Sequence, residues 1–388
     1  MSDLEVLYLV LVALYAWECA AWLPRDSLAL TSWFNRSWRV VHPSPLLGNQ
    51  RGGLTFAAPL PPLGSIFCAS QFPLALSPDA LLAFVAPAIN PGWPATQTGR
   101  CVRFEDLQSV RAKGSKVLVN DSLLFRASSA WQAGHWAKQI DDISKLPRTQ
   151  RAAAIEKLVK TSFNTEALKT RIQLFKKISR PLPWLTNSLF VFLFFVIPVV
   201  LWKIGLHLTW PFLLGSLLML TTFTAVYFWR AHKQLYPEAE DERFNHFMLI
   251  WLAPATSVRA LDPLSRPLLA TFHPLSIARE LSPPADFQKL ARIAWLNLRF
   301  PGAQPILTSN PVAAETHAHF LSVLLPITEN FLKRHGLRPS DLESAPTQAD
   351  SSSIAYCPRC HSQFTTTDGG CPDCGGVGLV PFKRAARS

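Results

Sequence analysis

Near the middle of this chain, residues 184–202 and 210–229 form two apolar runs separated by a short link holding one charge, Lys203. An apolar helix of about 20 residues covers the roughly 30 Å hydrocarbon core of a bilayer. It also bonds all of its backbone groups internally, as a membrane requires. Trp184, Trp202, Trp210 and Trp229 mark the ends of the two runs, where an interfacial aromatic belt belongs. Pro198 would break a soluble helix but is tolerated in a membrane helix. A third apolar run covers 4–23, with Glu18 the one charge well inside it. Asp3 and Glu5 lie at its start with no Lys or Arg, the wrong charge for a cleaved secretory signal, and no A-x-A site follows. The sequence therefore predicts three transmembrane helices, at 4–23, 184–203 and 209–229.

Lys and Arg beside the runs set their orientation. None precedes the first run; Arg25, Arg36 and Arg39 follow it. Lys169, Arg171, Lys176, Lys177 and Arg180 precede the second, and Arg230, Lys233 and Arg243 follow the third. The N-terminus is expected outside, with 24–183 and 230–388 in the cytoplasm, as in a multi-pass protein of a bacterial inner membrane. Residues 24–183 hold 21 Lys and Arg against 9 Asp and Glu, whereas 230–388 hold 16 against 14, so the net charge of +12 belongs to the first segment. Beside a membrane, such an excess suits the anionic lipid of the inner leaflet. Glu18, near the cytoplasmic end of its run, reads as an interfacial acid paired with Arg25; an intramembrane carboxylate is also a functional candidate.

The first cytoplasmic segment, 24–146, reads as strand-rich. Residues 43–94 are proline-rich with broken apolar runs, which suits irregular structure and short strands. Beyond Arg100, strands are expected around Val102 and over 108–112, then a hairpin around Asn120-Asp121. A helix capped by Ser128 follows, with Ala133, Trp136, Ile140 and Ile143 on its apolar side. Strands closed by one C-terminal helix resemble a PH-like module, which would imply lipid or protein binding. Basic juxtamembrane helices follow at 147–183. The second of them either lies flat on the inner leaflet or packs on its own domain with its basic face in water. The acidic patch at 238–242 is expected to pair with the basic first segment. Residues 244–252 are apolar but too short to span, so they are either interfacial or packed on the third span. The segment 230–338 reads as helical with proline breaks, and 339–355 as a flexible polar linker.

The chain ends in two CxxC pairs, Cys357-Pro-Arg-Cys360 and Cys371-Pro-Asp-Cys374. Four thiolates at this spacing can close a tetrahedron around one metal ion. Seven cysteines in all, with Cys19, Cys68 and Cys101 scattered, argue against a disulfide framework. Pro358 and Pro372 stiffen each turn, Gly375-Gly376 lets the backbone fold past the second pair, and amides in such turns bond to the sulfurs. Residues 356–382 (CPRCHSQF, then CPDCGG, then Leu379-Val380) resemble the short four-cysteine zinc ribbons at the ends of many bacterial proteins. The resemblance implies a structural Zn2+ held by Cys357, Cys360, Cys371 and Cys374, with iron as the second choice. A closed four-sulfur site leaves no position for a reacting water. His361 is read as exposed beside the site.

No Walker A loop, GxGxxG, HExxH, GxSxG or paired-carboxylate motif is present. Glu315, His317 and His319 form the one other cluster, and on a helix His317 points away from the other two. The expected fold is therefore an α+β membrane protein: three transmembrane helices, a mixed strand and helix cytoplasmic domain, a helical cytoplasmic region and a C-terminal zinc ribbon. The expected role is non-enzymatic: a scaffold, adaptor or sensor facing the cytoplasm, with the ribbon contacting an unknown protein partner or nucleic acid. The alternatives are a membrane-embedded enzyme or transporter component built from dispersed polar residues, and a membrane-tethered nucleic-acid binder.

Overall fold

The computed structural model describes residues 74–83 and 99–382, apart from 128, 270, 303 and 304. It also describes the backbone of strands at 27–32, 38–43 and 67–70, and Val6, Tyr8, Leu9, Val10 and Ala13, with backbone alone at 206–208, 266, 286 and 305. Strands β1 (Ser27–Ser32), β2 (Trp38–Pro43) and β3 (Phe67–Ser70) form an antiparallel sheet in the order β2-β1-β3. A second antiparallel sheet holds β4 (Leu74–Leu76), β5 (Ala80–Ala83) and β6 (Arg100–Arg103). A third holds β7 (Val110–Lys113), β8 (Lys116–Val119) and β9 (Ser122–Arg126).

The hairpin between β8 and β9 forms where the sequence places it. Asn120 and Asp121 both adopt positive φ, 48° and 62°, as a type I′ turn requires. Asn120 Oδ1 also accepts the amides of Gln108 and Ser109, at 2.9 and 3.1 Å, which ties the turn to the start of β7. Helix α1 (Ala130–Ser144) then lays Ala133, Trp136, Ile140 and Ile143 against the sheet. Its cap is Ser129, whose hydroxyl accepts the Gln132 amide at 3.0 Å.

Next come α2 (Arg148–Ser162) and α3 (Thr165–Ile178). The apolar stripe of α3, Leu168, Ile172 and Phe175, is buried in the main core, while Lys169, Lys176 and Lys177 are exposed. Of the two readings, the apolar side of the helix packs on its own domain. Helix α4 (Leu182–Val191) runs through a π turn (Phe192–Val196) into α5 (Ile197–Ile204). Pro198 has no N–H to offer Phe194, and the helix widens just before it, with the Ile197 amide reaching Phe192 O. Gly205, at φ 91°, reverses the chain, and α6 (Leu206–Leu235) runs back along α4.

Two helices, Leu182–Ile204 and Thr209–Leu235, are long and apolar enough to cross a membrane. Three were expected, so the count is corrected to two among the described residues; 4–23, with Glu18, falls outside them save for the five positions named. The second is also longer than expected, because its last turns, with Phe228 and Ala231, are drawn into the main core.

Helix α7 (Glu240–Leu252) folds back along α6, and the short α8 (Pro254–Ser257) caps the turn. Glu242 accepts the amides of Ala130 and Trp131 at 3.2 and 3.0 Å. The acidic patch thus meets the basic first segment at the positive end of α1, through backbone amides and not through Lys or Arg, while Glu240 lies 3.7 Å from Arg243 of its own helix. Helices α9 (Asp262–Leu269), α10 (Pro274–Leu281), α11 (Pro284–Arg299) and α12 (Pro305–Ser309) lead to α13 (Pro311–Arg334). Along α13, Ala313, Thr316, Phe320, Leu324, Ile327 and Phe331 recur at three and four residues and are buried. They face β4, β5, α2 and α11. One continuous core therefore runs from Leu74 to Leu342, so the segments 24–146, 147–183 and 230–338 share it. Each large apolar side chain fully buried there contributes roughly 1.5–3 kcal/mol.

Candidate metal centre

The tail is built from short strands that present the two CxxC turns to each other. β10 (Ala355–Tyr356) pairs with β11 (Gln363–Phe364) and β14 (Val380–Pro381); β12 (Gly370–Cys371) pairs with β13 (Val377–Gly378). In the first turn the His361 amide donates to Cys357 O at 2.9 Å, and in the second the Gly376 amide donates to Cys371 O at 2.9 Å. Gly375 and Gly376 take φ of 68° and 80°, the left-handed conformation that glycine adopts without strain.

This brings Cys357, Cys360, Cys371 and Cys374 together, all four Sγ atoms lying within 4.8 Å of one another. Cys360 and Cys371 Sγ are 3.7 Å apart. A tetrahedron with metal–sulfur bonds of about 2.3 Å has edges of about 3.8 Å. A disulfide needs about 2.05 Å, and all four are free thiols. The four residues could bind a metal ion. Three are buried and Cys360 is exposed.

The electrostatics agree with a cation. Partial desolvation opposes ionisation of Cys360, but hydrogen bonding with the Ser362 hydroxyl and amide and with Cys374 and Cys357 outweighs it and lowers its pKa. Burial and then the neighbouring Cys360 push Cys371 up to about 11, and the same causes raise Cys374 further. Four thiolates can share this space only around a positive charge. The Ser362 and Cys374 amides bond to the Cys360 and Cys371 sulfurs, the support expected of such turns.

The cluster is docked on the body, a feature the sequence hid. Arg359, inside the first CxxC, donates from Nε to Asn297 Oδ1 at 2.5 Å and lies with Nη1 3.4 Å from Cys374 O. His361 is half-buried rather than exposed, with Nδ1 3.2 Å from Arg292 Nη2. It faces an arginine and is not one of the grouped ligands. Phe300 touches both the main core and the cysteine cluster. A Cβ on Gly302 would sit 2.2 Å from Cys374 O, so only glycine lets the two backbones meet. The segment 339–355 is likewise tied down. Its short α14 (Pro339–Leu342) puts Leu342 into the main core, Trp295 Nε1 donates to Glu343 at 2.8 Å, and the Ala349 amide donates to Gln363 at 2.8 Å.

The other candidates do not assemble. On α13, Glu315 is exposed while His317 and His319 are half-buried. Among the described residues only the four cysteines lie close enough to share an ion. Comparison with known proteins finds no matching family model, no matching curated protein and no matching solved structure.

Proposed function

We propose that this chain is a membrane-anchored scaffold, adaptor or sensor whose metal-closed tail is part of a recognition surface on the cytoplasmic side. The observation that carries this reading is a four-sulfur cluster locked onto the body. All four ligands come from the protein, so the metal is structural, and zinc suits a tetrahedral sulfur site best. In this reading Leu182–Ile204 and Thr209–Leu235 cross the membrane as a hairpin. Trp184, Trp202 and Trp210 are 76%, 71% and 54% exposed, which suits rings at the headgroup level. The tail then lies in the reducing cytoplasm, where thiols remain available to metal.

The exposed Lys169, Lys176, Lys177 and Arg180 precede the hairpin directly, and they would meet the anionic headgroups of the inner leaflet. In this reading the three-stranded sheet of β7, β8 and β9 with α1 is the part of the body that binds lipid or protein. The composite face of knuckle and α11, around Arg292, Arg359 and His361, is the surface offered to a protein partner.

Cross-linking in intact membranes tests this. The full chain is expected to capture a partner protein through residues near Arg292 and Arg359, and Cys357→Ser/Cys374→Ser is expected to lose it while staying in the membrane fraction. A partner captured equally by both chains would remove the knuckle from the recognition surface. Release of the wild-type chain by alkaline carbonate would remove the membrane anchor.

A further inference from the structure

The turn of chain that follows the hairpin has the chemistry of a segment that enters a bilayer and leaves by the same side. Its charges sit at one end: Glu240, Asp241, Glu242 and Arg243 occupy the first turn of α7, and no Asp, Glu, Lys or Arg follows until Arg259. Exposure changes in the same direction. Low on the helix the exposed groups are mixed, Asp241, Asn245 and Phe244 at 53%, whereas at its top they are all apolar, with Leu249, Trp251 and Leu252 at 53%, 39% and 66%. A helix packed on a soluble domain shows water a polar outer face along its whole length; on α7 the exposed polar groups stop at Asn245, and the tip exposes only apolar ones.

The depth is fixed by a hydrogen bond. Trp251 Nε1 donates to Thr222 Oγ1 at 3.1 Å. Thr222 stands eight residues before Arg230, the first charged residue of α6, or about 12 Å along the axis. The tip of α7 therefore reaches well below any headgroup level drawn at Arg230. Val258, just past α8, is buried in one cluster with Leu189 and Leu193 of the hairpin.

Several backbone groups at the tip bond within the protein, as a site away from water favours. The Ala253 amide donates to Leu249 O at 2.9 Å and the Ser257 amide to Ala253 O at 3.0 Å. The Ser257 hydroxyl, buried, donates to Ile250 O. The exposed tip is also continuous with the hairpin's apolar surface, since Phe223 and Val226 of α6 are exposed beside it.

We infer that α7 and α8 form a re-entrant wedge, inserted among the acyl chains of the cytoplasmic leaflet without crossing to the other. This rests on the hairpin reading above. Among the described residues, the cytoplasmic leaflet then holds α7 and α8 beside the two spans, whereas the outer leaflet holds the two spans alone.

Cysteine accessibility tests it in the full chain, reconstituted in bilayer fragments open on both faces. Asp241→Cys, Leu252→Cys and Phe195→Cys are each treated with a water-soluble maleimide and read peptide by peptide by mass spectrometry, so that native thiols report separately. All three positions are exposed on the protein surface, so the substitutions leave the packing intact. The expected result is labelling at 241 and loss of labelling at 252 and 195 until the bilayer is dissolved in denaturant. Labelling at 252 with protection at 195 would overturn the wedge and leave the hairpin standing. Labelling at both would overturn the hairpin itself. Protection at all three would also overturn the wedge, by placing its charged base in lipid.

Discussion

Replacing Gly302 with alanine strikes the contact between tail and body while leaving every metal ligand in place. The new methyl carbon would sit 2.2 Å from Cys374 O, 3.2 Å from Cys374 C and 3.0 Å from Arg359 Nη1. A carbon and an oxygen need about 1 Å more than the first of these distances, and the obstructing atom is backbone of the second CxxC turn, which the Gly376 amide closes on Cys371 O, so the knuckle must move as a unit. Overpacking of this kind costs about 1–3 kcal/mol. The contacts between the knuckle itself and the body include the Arg359–Asn297 bond, the Arg292–His361 contact and the packing of Phe300. Each hydrogen bond contributes about 0.5–1.5 kcal/mol net, so the strain is comparable to what it opposes. A change of 1–3 kcal/mol shifts the docked to undocked ratio roughly 5- to 150-fold. Limited proteolysis of the exposed stretch 344–352 reads this ratio directly. Gly302→Ala is expected to be cut faster by a factor in that range, with metal content unchanged. Equal cleavage rates would refute the docking argument, and metal loss would show that the substitution acts on the centre itself.

Two further predictions concern the body. Gly134 lies exposed in the middle of α1 with nothing within 4 Å of where its Cβ would be, so Gly134→Ala should raise stability by about 0.5–1 kcal/mol in denaturant titration; a loss would mean the site is not open helix. Burial lowers the pKa of His273, whose ring stacks on Phe163 at 4.2 Å and whose Nδ1 accepts the Leu275 amide at 3.3 Å. Below about pH 6.5 the unfolded chain then binds a proton that the folded chain refuses, so stability falls as pH drops through that value. His273→Asn keeps a capping acceptor and should flatten this loss between pH 7 and 5. Burial also lowers His135 and His317, so a residual slope is expected, and an unchanged slope would exclude His273 as its source.

What the sequence made legible was local. Trp136, Ile140 and Ile143 announce the buried face of α1, Asn120-Asp121 the β8–β9 turn, and the CxxC spacing a four-sulfur cluster. In each case the residues that signal the element also build it. What stayed hidden depends on distant partners. Gly302 reads as an ordinary loop glycine until Cys374 is seen against it. The stripe Leu168, Ile172, Phe175 is equally good for a leaflet or a core, and only the fold shows that it faces the core. The polar composition of 339–355 signals a linker, yet Leu342 and Glu343 find partners on the body. The acids at 238–242 advertise charge, but nothing in their own stretch of sequence says that Glu242 meets the N-terminus of α1.

The account turns on one metal ion held by four thiolates, and elemental analysis of the purified full-length chain tests this most directly. Wild-type protein is predicted to carry one zinc ion per chain, and Cys357→Ser/Cys374→Ser to carry none while remaining in the membrane fraction. Stoichiometric zinc retained by the double variant, or wild-type protein free of bound metal under reducing conditions, would contradict the assignment.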